Sequence, residues 1–206
     1  MYETLTLADP TSPTLNRVAN LVSIDAINSP DIEDTISQML HIAYGRQGDV
    51  KARTMVGLAA PQVGVSKRII VVGVNSTGLG EIPDLKVFIN PTIIYKSELT
   101  EEGREGCFST GHICGVVSRS VSITVRAYDQ TGKEIEVTLE GFPARVMQHE
   151  IDHLDGIRFP DHITDGNKLH WVETDEFGDY RDHWRTWGKY CSFEKWNAMK
   201  SGEAVG

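Results

Sequence analysis

Between Pro143 and Gly156 the chain is written for one kind of local structure. Pro143 suits a first helical turn, because its ring fixes φ and its missing N–H would have no partner there. Ala144, Val146, Met147, Ile151 and Leu154 supply apolar contacts at helical spacing, and Gly156 is a natural stop. A helix is therefore predicted over 143–154. Inside it stands His149-Glu150-Ile151-Asp152-His153. Positions i and i+4 share one helix face, so both imidazoles can grip a single ion. Glu150 is turned about 100° from His149, near enough to reach a water at that ion without being a ligand itself. A surface helix that carries two histidines by chance would show the same five residues, so the third ligand decides.

One metalloprotease pattern asks for a histidine six residues after the second, but Phe159 stands there. A second pattern takes a downstream glutamate, and Glu173 and Glu176 are available. Cys107, in the run Glu105-Gly106-Cys107-Phe108-Ser109, is the better candidate. It lies between flexible Gly106 and a strand-forming region, so a thiolate there can be held rigidly. The competing reading is a buried structural thiol, the reading given to Cys114 and Cys191. The run Val56-Gly57-Leu58-Ala59-Ala60-Pro61-Gln62-Val63-Gly64 would let a ligand approach the backbone closely, with Gln62 offering its amide to an oxyanion. The same composition also describes a tight apolar turn. It lacks the Gly-Lys-Ser/Thr ending of a phosphate loop.

Bulk properties narrow the partners. The 206 residues are 40% apolar and 24% charged, as in a globular protein, with a formal charge of −9. That acidity argues against direct nucleic-acid binding and against an anionic membrane, while leaving room for a transient ribosome-associated role. No run approaches the roughly 18 apolar residues of a membrane helix. Three cysteines fit a reducing compartment. The opening residues carry neither a basic flank nor a long apolar core, so a cytoplasmic location is expected; an organellar protein after transit-peptide removal would read identically.

Residues 1–12 read as an extended lead-in. Leu15, Val18, Leu21 and Val22 give a short helical pattern over 14–27. Ser29-Pro30 opens a second helix, with an apolar stripe from Ile32 to Ala43, and 45–51 reads as a surface loop. Strands are predicted at 69–74, 85–94 and 116–128, with a turn at 75–80 between the first two. A hairpin turn at 129–132 leads to Ile135, Val137 and Leu139, which alternate with polar residues. Helix, then strands, then helix indicates an α+β fold, antiparallel or mixed sheets around the central helix, in one domain spanning 1–206. A polar tail with Trp171, Trp184, Trp187 and Trp196 follows Gly156, and ordinary packing is the expectation for it.

Taken together, these runs resemble the peptide deformylases. That family has three separated motifs, matched in order by Met55 to Gln62, Glu105 to Ser109 and Gln148 to Gly156. The likeness covers roughly residues 30–160 and leaves 160–206 as a divergent tail. Met55 stands where the first motif begins with glycine, Phe108 where leucine or methionine is usual, and Thr110-Gly111 where the second motif continues Val-Pro. Cys114 or a neighbour replaces an arginine common in the following segment.

The resemblance implies Cys107, His149 and His153 as ligands of one divalent ion. Iron(II) would be native, with zinc, nickel or cobalt able to replace it. It implies Glu150 as general acid/base, and Gln62 with the backbone N–H of Phe108 as oxyanion donors. Val56 and Gly57 would pair with an extended peptide, Glu105 and Gly106 would shape the ligand loop, and Val146 and His149 would border the methionine side chain. The expected reaction is hydrolysis of the formyl group from N-formyl-methionyl nascent peptides, releasing formate. A divergent metal-dependent amidase or deacylase acting on a small metabolite, a zinc-stabilised binding protein and a metal-dependent endopeptidase are the competing expectations.

Overall fold

The computed structural model describes residues 4–47, 50–51, 54–79 and 83–203. The start of the extended lead-in, part of the 45–51 loop and Gly80 of the 75–80 turn lie outside these. The first long helix, α1, runs Pro30–Ala43 and buries Ile32, Ile36, Met39, Ile42 and Ala43. A two-residue hairpin follows, β1 (Arg46–Gln47) against β2 (Val50–Lys51). Next come β3 (Gly57–Ala59), β4 (Ile69–Gly73) and β5 (Leu85–Lys96), then β6 (Thr100–Gly106), β7 (Ile113–Ser120), β8 (Ser122–Tyr128) and β9 (Glu134–Glu140). Helix α2 spans Gly141–Leu154. The chain ends with β10 (Leu169–Trp171), α3 (Phe177–His183) and α4 (Phe193–Ser201).

Two antiparallel sheets flank α2, in the strand orders β3-β4-β5-β8-β9 and β10-β7-β6. The α+β architecture expected from the element order is therefore present. β4 is apolar and wholly buried, as a central strand covered on both faces should be. One face packs with α1 through Ile69 and Val71, and the other packs with α2 through Ile70 and Val72. β3 and β6 are both edge strands, and the space between them opens onto α2.

Three expectations change. The predicted helix over 14–27 is replaced by short 3-10 turns at Pro13–Asn16 and Ile24–Ala26. Leu15, Ala19 and Val22 are buried, but the N–H groups of Ala19 and Asn20 bond the carbonyls of Leu154 and Ser66 instead of closing helical turns, and Val18 and Leu21 are left 67% and 72% exposed. The strand predicted over 116–128 is two strands in different sheets. The break is at Val121, whose N–H bonds Leu99 and whose carbonyl accepts from Gly141. Helix α2 begins two residues before Pro143.

Candidate metal centre

Two elements deliver the candidate ligands. Cys107 stands just past the end of β6 in extended conformation, φ −148° and ψ 145°. His149 and His153 project from α2. Cys107 Sγ lies 3.4 Å from His153 Nε2, and the three ligand atoms lie within 4.8 Å of one another. A thiolate with two imidazoles suits zinc, iron(II), cobalt or nickel. Among the described residues no fourth histidine, cysteine or carboxylate joins this cluster. Glu173 instead accepts from Trp171 Nε1 at 2.7 Å, and Glu176 pairs with Lys189.

Glu105 orients the site from behind. Its Oε2 lies 2.9 Å from His149 Nδ1, which leaves Nε2 of that ring for an ion. Arg119 grips both oxygens of Glu105, each at 2.9 Å, and Arg145 reaches Oε1 at 2.9 Å. Arg119 also bonds Asp152, which His162 meets at 2.8 Å. Burial alone would raise the Glu105 carboxyl, but the bonds from Arg119 and His149 outweigh it and hold the group well below the usual range. Burial likewise disfavours a charged His149, yet its interactions with Cys107 and Glu105 hold it well above its ordinary value. His153 is pushed the other way, well below its ordinary value, by burial and by the neighbouring positive charges.

Glu150 is 4% exposed, and burial pushes its carboxyl up to about 7. Its Oε2 and Nδ1 of His153 are buried with no hydrogen-bond partner. His153 Nδ1 lies across the ring from Nε2, the atom that faces Cys107, so it is the buried carboxylate oxygen that marks a place for a further group. Gln62 lies in a 3-10 turn, Ala60–Val63, directly after β3. Its Oε1 accepts from the Ala59 N–H at 2.7 Å, which turns Nε2 toward Cys107 Sγ at 3.2 Å and Ser109 Oγ at 3.3 Å. A groove of about 420 Å³ joins these groups, lined among others by Val56, Gly57, Gly106, Phe108 and Val146. Glu105 borders it too, but its carboxylate is turned to the two arginines and His149.

The polypeptide deformylase family model matches residues 3–169. This chain belongs to that family. It is 39% identical over 158 residues to peptide deformylase 1 of Prochlorococcus marinus, covering 75% of this chain and 78% of that protein. It is 42% identical over 150 residues to the peptide deformylase of Natranaerobius thermophilus, covering 72% and 85%. Among solved structures, the Met-Ala-Ser-bound class I type b peptide deformylase of Acinetobacter baumannii superposes with a TM-score of 0.69 at 32% identity, covering 79% of this chain and all (100%) of that one. The peptide deformylase of Thermotoga maritima gives 0.66 at 33% identity, covering 80% and 100%. As a deformylase, the protein is a metal-dependent hydrolase that removes the N-terminal formyl group from nascent peptides.

Sequence reasoning missed Arg119, Arg145 and the part played by Asp152. Asp152 lay inside the helical run, and Arg119 stood on the buried face of a strand, where a charge needs a partner. That was the available signal. Arg158 was missed as well. It is fully buried and donates to Ser109 O at 2.9 Å, Pro10 O at 2.7 Å and Asn16 Oδ1 at 2.8 Å, so it ties the turn after Cys107 to the N-terminal segment.

Proposed function

We propose that Cys107, His149 and His153 hold one divalent ion in this deformylase, with Glu150 as general acid/base. The observation that carries this is the approach of a thiol and two imidazoles to within 4.8 Å beside a buried, unpartnered carboxylate oxygen. An ion in that set would supply Lewis acidity, lowering the pKa of a water and offsetting negative charge as the formyl carbon is attacked. Glu150 takes up the proton of the attacking water and passes it to the leaving amine, a task suited to a carboxyl near pH 7. Gln62 Nε2 donates to the developing oxyanion, held in orientation by the Ala59 N–H. Phe108 opens a 3-10 turn, so its N–H belongs to the group a helical turn leaves unsatisfied and serves as the second donor.

The peptide lies extended between the edges of β3 and β6. Val56 O accepts from Gly73 N–H at 2.8 Å, so strand alternation turns the N–H and C=O of Gly57 outward, ready to pair with substrate. Gly106 lines the groove on the opposite edge, and Val146 with Met55 and Phe142 borders the methionine side chain. Iron(II) is the native ion in this reading, with zinc, nickel and cobalt as replacements. The protein acts in the cytoplasm on chains emerging from the ribosome, with transient ribosome association and no nucleic-acid or membrane contact of its own; no described helix is long and apolar enough to cross a membrane. Residues 1–206 work as one domain, a reading supported by the bonds of Trp196 and Lys200 to Asp161, at 3.0 and 2.6 Å.

Elemental analysis and a formate-release assay on one anaerobic preparation test this. Bound iron and formate from formyl-Met-Ala are expected. No formate from protein loaded with iron(II), nickel or cobalt would overturn it, and turnover of acetylated or non-peptide amides alone would favour the amidase reading.

A further inference from the structure

The active-site groove does not end at the metal cluster. A second cavity of about 300 Å³ adjoins it, and the two share Arg104, Phe142 and Arg145 as walls. Its far side is built by Trp184 and Arg185, which lie beyond the 3–169 stretch that matches the family. We propose that this second cavity binds an acidic side chain at the third or fourth residue of the formylated peptide; the proposal rests on the deformylase reading.

Charge and geometry both support it. Arg104 is half-buried, and its Nε donates to the carbonyl of Arg181 in α3 at 3.2 Å. Among the described residues no carboxylate lies within ion-pair distance of Arg104 or Arg185. Burial, with the neighbouring Arg181 charge, pulls the Arg104 guanidinium below its ordinary value; Asp182 acts the other way without forming an ion pair with it. The Arg185 guanidinium carbon lies over the Trp184 ring, 4.2 Å from its centroid, and a guanidinium held there can meet a carboxylate in the fork geometry. Arg145, by contrast, is committed to Glu105 and to the carbonyls of Glu101 and Val117. Of the two acids on the rim, Glu102 is paired with Lys168 and Glu101 is exposed.

The register fits a peptide. Arg104 precedes Cys107 by three positions along an extended strand, a distance of about 10 Å. A substrate running antiparallel to β6, with its formyl group at Cys107, advances about 3.3 Å per residue and brings its third or fourth side chain opposite Arg104.

Turnover of formyl-Met-Ala-Asp-Ala and formyl-Met-Ala-Ala-Asp is compared with that of their Asn counterparts. At low salt the acidic peptides should be preferred roughly three- to tenfold in kcat/KM, through KM, because the contact is remote from the reacting carbon. The preference should shrink in high salt. Arg104→Ala should remove it, and Arg185→Glu should turn it toward lysine-bearing peptides, a reversal that misfolding cannot produce. Acid-to-amide ratios near one in the parent protein, or ratios unmoved by both variants, overturn the second cavity's role while formyl-Met-Ala is still turned over. No turnover of any peptide overturns the deformylase reading instead. Tryptophan fluorescence titrated with the unformylated Asp and Asn peptides then tests the cavity alone, and equal affinities would overturn it.

Discussion

Gly57 lies directly against Glu150: a Cβ built on it would sit 2.4 Å from Oε1 of that carboxylate and 2.8 Å from Cγ1 of Val146. The edge strand proposed to pair with the peptide is thus also the surface on which the proposed acid/base, Glu150, rests. Gly57→Ala is expected to push the carboxylate off its position and lower kcat by about 100-fold. Metal content should be unchanged, because Glu150 is not a ligand. Formate-release kinetics beside elemental analysis check both halves, and a variant with full activity would show that this close contact is unimportant.

Glu150→Gln should lower kcat by roughly 10²–10⁴-fold with the ion retained. The same residue predicts a pH dependence in the metal-free protein. Burial raises the folded carboxyl from 4.5 to about 7, so its stabilising influence is full below about pH 4.5 and is lost as pH rises through about 7. The loss amounts to about 3 kcal/mol. Denaturant unfolding of the two metal-free proteins between pH 5 and pH 8 isolates the effect: the parent should lose stability relative to Glu150→Gln as pH rises.

Cys107→Ala and His149→Ala should each strip the ion, while Glu173→Gln should keep it, since Glu173 is bonded to Trp171 and lies apart from the cluster. Elemental analysis of the three purified variants decides. Loss of metal from Glu173→Gln alone would restore the endopeptidase arrangement.

Arg119→Met leaves Glu105 and Asp152 without their shared guanidinium. Removing one member of a buried ion-pair network costs about 3–5 kcal/mol. Glu105 would also hold His149 less firmly, and metal affinity should fall by about 10- to 100-fold. Denaturant unfolding and competition with a chelator measure the two effects separately.

Arg158→Ala removes three hydrogen bonds and the guanidinium stacked 4.5 Å over the Trp196 ring. Several kcal/mol of stability should be lost, because the carbonyls of Pro10 and Ser109 lose their partner in a site water reaches poorly. Arg158→Lys should recover only part of it, since a single ammonium cannot reproduce the planar fork. Chemical denaturation of both variants gives the comparison.

The local sequence wrote α2, its stop at Gly156 and the inward alternation of Ile123, Val125 and Ala127, because these depend on residue spacing and turn chemistry along a few neighbouring positions. It also brought His149, Glu150 and His153 forward as candidates through their helical spacing, and Cys107 beside Glu173 and Glu176 as a possible third ligand; the fold then set the Cys107 sulfur beside the two imidazoles. It failed over 14–27, where apolar spacing imitates a helix while Val18 and Leu21 face solvent. It also failed at Val121, where one alternating pattern runs through two strands that bury their faces in different sheets. Only the tertiary structure brought Glu105, Arg119 and Asp152 into one network and laid α3 against Arg104. Those contacts join residues dozens of positions apart, and whether a buried charge finds its partner depends on how the sheets pack around α2, which no short run of residues encodes.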